Sequence, residues 1–204
     1  MTMGQLRRAV SPSDRAARRA AILAAASALL ERHAFTEVSI SAVARRAQIA
    51  KGTVFLYFPG KEALFLELAD QETEAWLVAL HADVARDPAA LSPAALADAM
   101  TARLMEHPLL LRLLPLAGGV LLPGVSASRA AESRHRLLRR LFATGALVEQ
   151  RLGLARGGDG VRALAHAHAL LVGLLSGGAR TPDVAELRAA LTIQLHGYHR
   201  RAGA

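Results

Sequence analysis

The sequence predicts an all-α protein of about nine helices, with a three-helix N-terminal head followed by a larger helical body. Three observations predict it. Alanine and leucine dominate; β-branched and aromatic residues are scarce, the aromatics amounting to 4%; and no stretch shows the alternation of apolar and polar residues that marks a half-buried strand. With 204 residues, 52% of them hydrophobic, the chain can bury a core without covalent or metal staples.

The first helix is expected from about Asp14 to His33, with Ile22, Ala26, Leu29, Leu30 and His33 turned inward and Phe35 plugging the head behind it. Ser39 can cap a second helix whose Ile40, Val43, Ala44 and Ala47, spaced by three and four, share one side. After a tight break, a third helix from about Lys51 points Val54 and Phe58 at the same core and leaves Gly52, Thr53, Phe55 and Leu56 outward or on its flanks. Helix four should start near Lys61 and run through Trp76 to about Val84, ended by Asp87-Pro88. That length makes it the connector between head and body, so residues 1–62 are expected as one domain and 63–204 as the other. Further helices are expected at about Ser92 to Glu106, a broken apolar one around His107 to Leu114, a long one from about Ser126 to Leu152, and closing helices near Gly160 to Leu175 and Pro182 to Arg201. Gly157-Gly158 and Gly177-Gly178 are the expected breaks between them.

Two short helices meeting across a tight break read as a helix-turn-helix, and the outward side of the second is what such a motif offers the major groove of DNA. Charge supports this independently. Residues 1–61 hold ten basic side chains against three acids, a net +7, whereas the whole chain carries +8. A basic head on a near-neutral body is the electrostatic footprint of a polyanion-binding domain.

At Ala47-Gln48-Ile49-Ala50-Lys51-Gly52-Thr53-Val54-Phe55-Leu56-Tyr57-Phe58-Pro59-Gly60-Lys61-Glu62-Ala63-Leu64 the chain resembles the TetR family of bacterial transcriptional repressors. The resemblance covers about the first third of the chain and implies a DNA-binding head, a ligand-binding and dimerisation body, and a two-fold operator. Three positions depart from the family pattern: Gln48 stands for the turn Gly, Ala50 for the Ser that would cap the recognition helix, and Phe55 for a Tyr that in the family resembles a phosphate contact. A non-Gly residue in a left-handed turn costs on the order of 1 kcal/mol and a missing cap roughly 0.5 to 2, which packing of Ile49, Val54 and Phe58 is expected to offset. Phosphate contacts are expected from Ser39, Ser41, Tyr57, Lys61 and the Arg-rich arm, the Tyr57 and Lys61 positions being carried over from the family. Base readout is expected from Lys51 and Thr53, with Gly52 allowing close approach and Phe55 or Leu56 against a thymine methyl.

In the body, Leu164, Ala167, Leu171, Leu174 and Leu175 form one apolar stripe and Leu187, Leu191, Gln194, Leu195 and Tyr198 another. Two such helices meeting their two-fold mates would make a homodimeric four-helix bundle; the other reading is that both stripes face their own core. Trp76, Arg103, His107, His135 and Thr144 lie in or near apolar segments where a few polar groups could hold a small apolar effector.

No cysteine is present, which excludes disulfides and thiolate chemistry and fits a cytoplasmic protein; residues 1–14 lack the apolar core of a signal peptide. Leu109 to Leu122 is too short to span a bilayer and contains Arg112 and Pro115, so no membrane partner is expected. His166 and His168 point to different helix faces, and His196 and His199 lack a neighbouring carboxylate or Cys, so neither a metal nor a cofactor is expected. An enzyme is not expected: there is no Gly-x-Ser-x-Gly, phosphate-cradling loop or His-Glu-x-x-His. Two readings remain, a DNA-binding repressor released from its operator by a small apolar effector, or a helix-turn-helix protein without such a switch, controlled by a protein partner or by its own abundance.

Overall fold

A computed structural model describes residues 11–86, 91–154, 156–176 and 183–202 of the chain. It divides into two compact units, Met1–Leu64 and Phe65–Ala204, two residues beyond the expected boundary. The described residues form nine α-helices, a 3-10 turn and a π-helical turn.

The first unit holds α1 (Pro12–Leu30), a 3-10 turn at Phe35–Glu37, α2 (Ile40–Arg46) and α3 (Lys51–Phe55). Helix α1 starts two residues earlier than expected because Pro12 fits the first helical position and Ser11 and Asp14 close a capping box, with Asp14 N–H donating to Ser11 Oγ at 3.0 Å. Ile22, Leu23, Ala26, Leu30, Val38, Ile40, Val43, Ala44, Val54 and Phe58 make its core. Four expected core residues do not join fully. The helix ends at Leu30, so His33 falls beyond its inward face and is exposed, while Leu29 and Ala47 are half-buried. Phe35 is also half-buried, and the plug behind α1 is Val38 instead. Ser39 caps α2, its Oγ accepting from Ala42 N–H at 3.1 Å. Between α2 and α3 the turn holds Gln48 at φ 56°, the left-handed conformation for which the usual residue is Gly, and α3 starts at Ala50 with no side-chain cap. Ile49 N–H donating to Ala44 carbonyl at 3.0 Å closes that turn.

In chain order the second unit takes up α4 (Lys61–Arg86), which begins in the first unit, then α5 (Pro93–Met105), α6 (Pro108–Leu116), a π-helical turn at Ala117–Leu121, α7 (Ala127–Leu152), α8 (Asp159–Leu175) and α9 (Val184–Ala202). The expected breaks at Asp87-Pro88 and Gly177-Gly178 lie outside the described residues. Ser92 and Ser126 cap α5 and α7 through their hydroxyls, which accept from Ala95 and Arg129 N–H. Pro115 inside α6 has no N–H to continue the ladder, and the helix loosens just after it into the π turn. The apolar run from Leu109 is interior, with Leu109, Leu110, Leu113, Leu114 and Leu121 all buried. No single helix among the described residues is long and apolar enough to cross a membrane.

The core of this unit corrects the expected dimer face. Leu164, Ala167 and Leu171 of α8 and Leu187, Leu191, Leu195 and Tyr198 of α9 are buried inside the chain itself, with Leu174, Leu175 and Gln194 half-buried. Helix α9 spends its apolar stripe on α5 and α8, and α8 spends its own on α7 and α9. Helices α7 and α8 approach so closely that a Cβ on Gly160 would stand 2.0 Å from the Gly145 carbonyl oxygen, and one on Gly145 2.7 Å from the Val161 backbone. Glu149 completes the junction by accepting from Gly160 N–H at 3.1 Å. Gly160→Ala must therefore force two backbones apart, and a thermal melt should show a loss of stability on the order of 1 to 3 kcal/mol.

Candidate nucleic-acid interface and internal cavity

The short helix α3 buries only Val54 and presents the rest of its surface. Lys51 and Gly52 are exposed, Thr53 is half-buried at the flank, and Phe55 and Leu56 are 45% and 83% exposed. A Cβ on Gly52 would meet nothing within 4 Å, so the backbone there is open to close approach from outside. Phe55 and Leu56 thus present large apolar surface to water at the end of this helix. Arg45 and Arg46 are exposed at the last turn of α2. Arg15 and Arg19 line a shallow cleft with Pro12, Leu56 and Tyr57. The Arg19 guanidinium lies 4.5 Å from the centre of the Phe58 ring and donates to the Tyr57 carbonyl, which fixes the backbone leaving α3. Of the expected phosphate contacts, Tyr57 and Ser41 are half-buried, and the Ser39 hydroxyl is engaged in capping α2.

Lys61 has a second task that its place in the motif does not announce. Its amine donates to the Phe35 carbonyl oxygen and sits 4.0 Å from the centre of the Phe35 ring, so it ties the start of α4 to the 3-10 turn. Burial holds this amine below the usual lysine range. An ammonium group has three N–H donors, and the Phe35 carbonyl takes one of them.

In the second unit a cavity of about 170 Å³ opens among α4, α6, the π turn, α7 and α8. Leu66, Ala69, Leu77, Leu114, Leu137 and Val172 supply most of its wall. Polar groups gather on the side where α4 faces α7. Asp70 accepts from Ser133 Oγ at 2.5 Å and from the guanidinium groups of Arg129 and Arg136; Glu67 pairs with Arg129, and Glu74 with Arg140. His168 reaches the cavity from α8, and burial pushes its imidazole below the usual histidine range, so it is neutral at pH 7.

None of the five expected effector contacts lines this cavity. Trp76 is a core residue, its indole N–H donating to the Met100 carbonyl at 3.3 Å. Arg103 is held by Asp83 at 2.5 and 2.8 Å and by Glu106 at 2.8 Å, and the guanidinium in turn holds the Asp83 carboxyl below its usual range. His107 is paired with Glu72 at 3.1 Å, and His135 is exposed. Thr144 is buried and borders a separate cleft with Val78 and His81. For Trp76, Arg103 and His107 the physical reason is that polar groups in a packed body first satisfy their own hydrogen bonds.

The sequence matches the model for bacterial regulatory proteins of the tetR family over residues 22–68, and that for the tetracyclin repressor-like C-terminal domain over residues 70–199. The chain belongs to the tetR family. It is similar to the HTH-type transcriptional regulator EthR of Mycolicibacterium smegmatis, 49% identical over 53 residues that make up 26% of this chain and 24% of that protein. It is 39% identical to EthR of Mycobacterium tuberculosis over 77 residues, 38% of this chain and 33% of that one. The chain thus matches about a quarter to a third of the length of these curated relatives. The crystal structure of the TetR family repressor AlkX from a Dietzia species superposes with a TM-score of 0.62 at 17% identity, over 94% of this chain and 97% of that one. At that identity the likeness is one of fold.

Within this tetR-family frame, the sequence left a readable signal for the polar side of the cavity. Glu67, Asp70 and Glu74 recur by three and four along α4, as do Arg129, Ser133, Arg136 and Arg140 along α7, so two helices offer complementary charged faces. Arg45 and Arg46 lie in the motif itself, and Arg15 and Arg19 belong to the first helix, whose arginines border the end of α3. Because Lys61 both holds the Phe35 carbonyl and sits beside the motif, Lys61→Ala should show two effects. Its melting curve should report a loss on the order of 1 to 2 kcal/mol. Its affinity for DNA should fall for all sequences alike, with the salt slope flattened by about one unit.

Proposed function

We infer that the chain is a DNA-binding transcriptional repressor that works in the cytoplasm as a two-fold homodimer and is released from its operator by a small apolar effector. The observation that carries this reading is the pairing, in one chain, of a basic helix-turn-helix unit whose third helix offers Lys51, Gly52 and Thr53 outward with a second unit that holds an apolar cavity. Helix α4 links the two in the chain. Its first residues belong to the DNA-binding unit, and Leu66, Ala69, Asp70, Thr73, Glu74 and Leu77 form one wall of the cavity. An occupant that shifts this wall acts on the helix that begins at Lys61. A coupling of about 1 to 3 kcal/mol suffices, and linkage requires operator DNA to weaken effector binding by the same factor. No catalytic role is part of this reading.

Phosphate contacts are assigned to Ser39, Ser41, Tyr57, Lys61 and the surrounding arginines, and base contacts to Lys51 and Thr53 with Phe55 or Leu56 against a thymine methyl. Lysine can donate to guanine O6 and N7, and a threonine hydroxyl can pair with either base type. Selection from random DNA should return a different preferred site for Lys51→Ala or Thr53→Ala than for the wild type, at about 1 to 3 kcal/mol per lost base contact. An identical site for both variants would remove these residues from the readout.

The dimer face is assigned to the outward sides of α8 and α9, since their inward stripes are consumed by the core. Ile193 is 72% exposed, and Ala169, Gly173 and Ala189 offer small side chains around which another helix can approach closely. A Cβ on Gly173 or Gly197 would meet nothing within 4 Å. Ile193→Asp should therefore yield a folded monomer by light scattering with much weakened operator binding, and an unchanged dimer would move the interface elsewhere.

A further inference from the structure

Beside the apolar cavity lies a second, cationic space. A cleft of about 210 Å³ is lined by Glu74, Arg136, Arg139 and Arg140, three of which, Glu74, Arg136 and Arg140, also line the cavity. Arg136, Arg139 and Arg140 fall three and four apart on α7 and so share one face. Together the two spaces are lined by four arginines, counting Arg134, and by two acids, Asp70 and Glu74. Both acids are already committed. Asp70 accepts from Ser133, Arg129 and Arg136, and Glu74 from Arg140. The arginines are not all used. Arg139 has no hydrogen-bond or ion-pair partner among the described residues, and the Nε of Arg136 is buried without an acceptor. A guanidinium face is the side chain best fitted to a planar carboxylate.

We propose that the effector is an amphipathic carboxylate, whose apolar part of about six to eight carbons fills the cavity while its single negative charge is held in the cleft by Arg139, beside Arg136 and Arg140. This deepens, and rests on, the reading of the cavity as an effector site. Size sets the apolar part: a dry cavity of about 150 Å³ accommodates one benzene ring, and this one measures about 170 Å³. Charge sets the head: an excess of two positive groups on the lining favours an anion and penalises a cation.

The test compares octanoate with octan-1-ol, which has the same chain without the charge, by calorimetric titration into the wild-type protein, Arg139→Ala and Val172→Phe at pH 7.5. Arg139 is exposed and has no partner to lose among the described residues, so its removal should leave the fold intact, which circular dichroism verifies. Octanoate should bind the wild type at least about tenfold more tightly than octan-1-ol, and Arg139→Ala should bring the two within about twofold by weakening octanoate alone. Val172→Phe, which fills the cavity, should weaken both ligands. Bound octanoate should also lower the affinity of the wild type for its selected DNA site. Equal wild-type affinities for the two ligands, or an unchanged preference in Arg139→Ala, would overturn the anionic head while leaving an apolar effector site in place. Failure of both ligands to bind the wild type at millimolar concentration would overturn the effector reading itself.

Discussion

The second unit depends on the joint between α4 and α7, where Glu67, Asp70 and Glu74 meet Arg129, Ser133, Arg136 and Arg140. The side chains of Glu67, Asp70 and Arg129 are 12–19% exposed, so this is a network largely removed from water and screened little by salt. Partly buried charges persist only when each has its partner, and removing one would strand the others. The joint therefore ties two long helices together by polar contacts. The cavity lies beside it, lined by Asp70, Glu74, Ser133, Arg136 and Arg140 and by small side chains such as Ala69 and Ala117.

Around that joint the unit is built by close packing. Gly145 and Gly160 let α7 and α8 touch backbone to backbone, which brings Val172 and His168 to the cavity wall. Pro115 and the π turn after it loosen the end of α6, and Leu114, Ala117, Gly118 and Leu122 form the opposite wall from that irregular segment. The cavity is thus bounded by three well-packed helices and one segment whose backbone departs from the regular ladder, a common arrangement at functional sites.

In the first unit the constraint is the turn between α2 and α3. Gln48 carries a positive φ and Ala50 provides no cap, so local terms that usually favour this motif are missing. Val54 and Phe58, both buried, and the Arg19 guanidinium over the Phe58 ring supply tertiary contacts in their place. Lys61 adds a tie from α4 to Phe35. The result is a five-residue helix whose outward side chains are free of internal duties, which a surface that reads bases requires.

The helices, the two-unit plan and the helix-turn-helix motif are legible in the sequence, because they depend on local patterns: apolar spacing by three and four, Ser39, Ser92 and Ser126 at helix starts, and an ordered run from Ala47 to Leu64 that few chains carry by accident. It also carried the charge asymmetry of the head. Which faces of α8 and α9 are consumed inside the chain depends on long-range packing, since Leu164 or Leu191 on a helix stripe looks the same whether its neighbour is α7, α5 or a second copy. The cavity was likewise decided by packing. Whether Trp76 or Thr144 on one hand, or Asp70, Arg136 and His168 on the other, reach an internal space depends on helix separation at particular levels. That separation is set by residues distant in sequence, such as Gly145 against Gly160, and no local pattern encodes it.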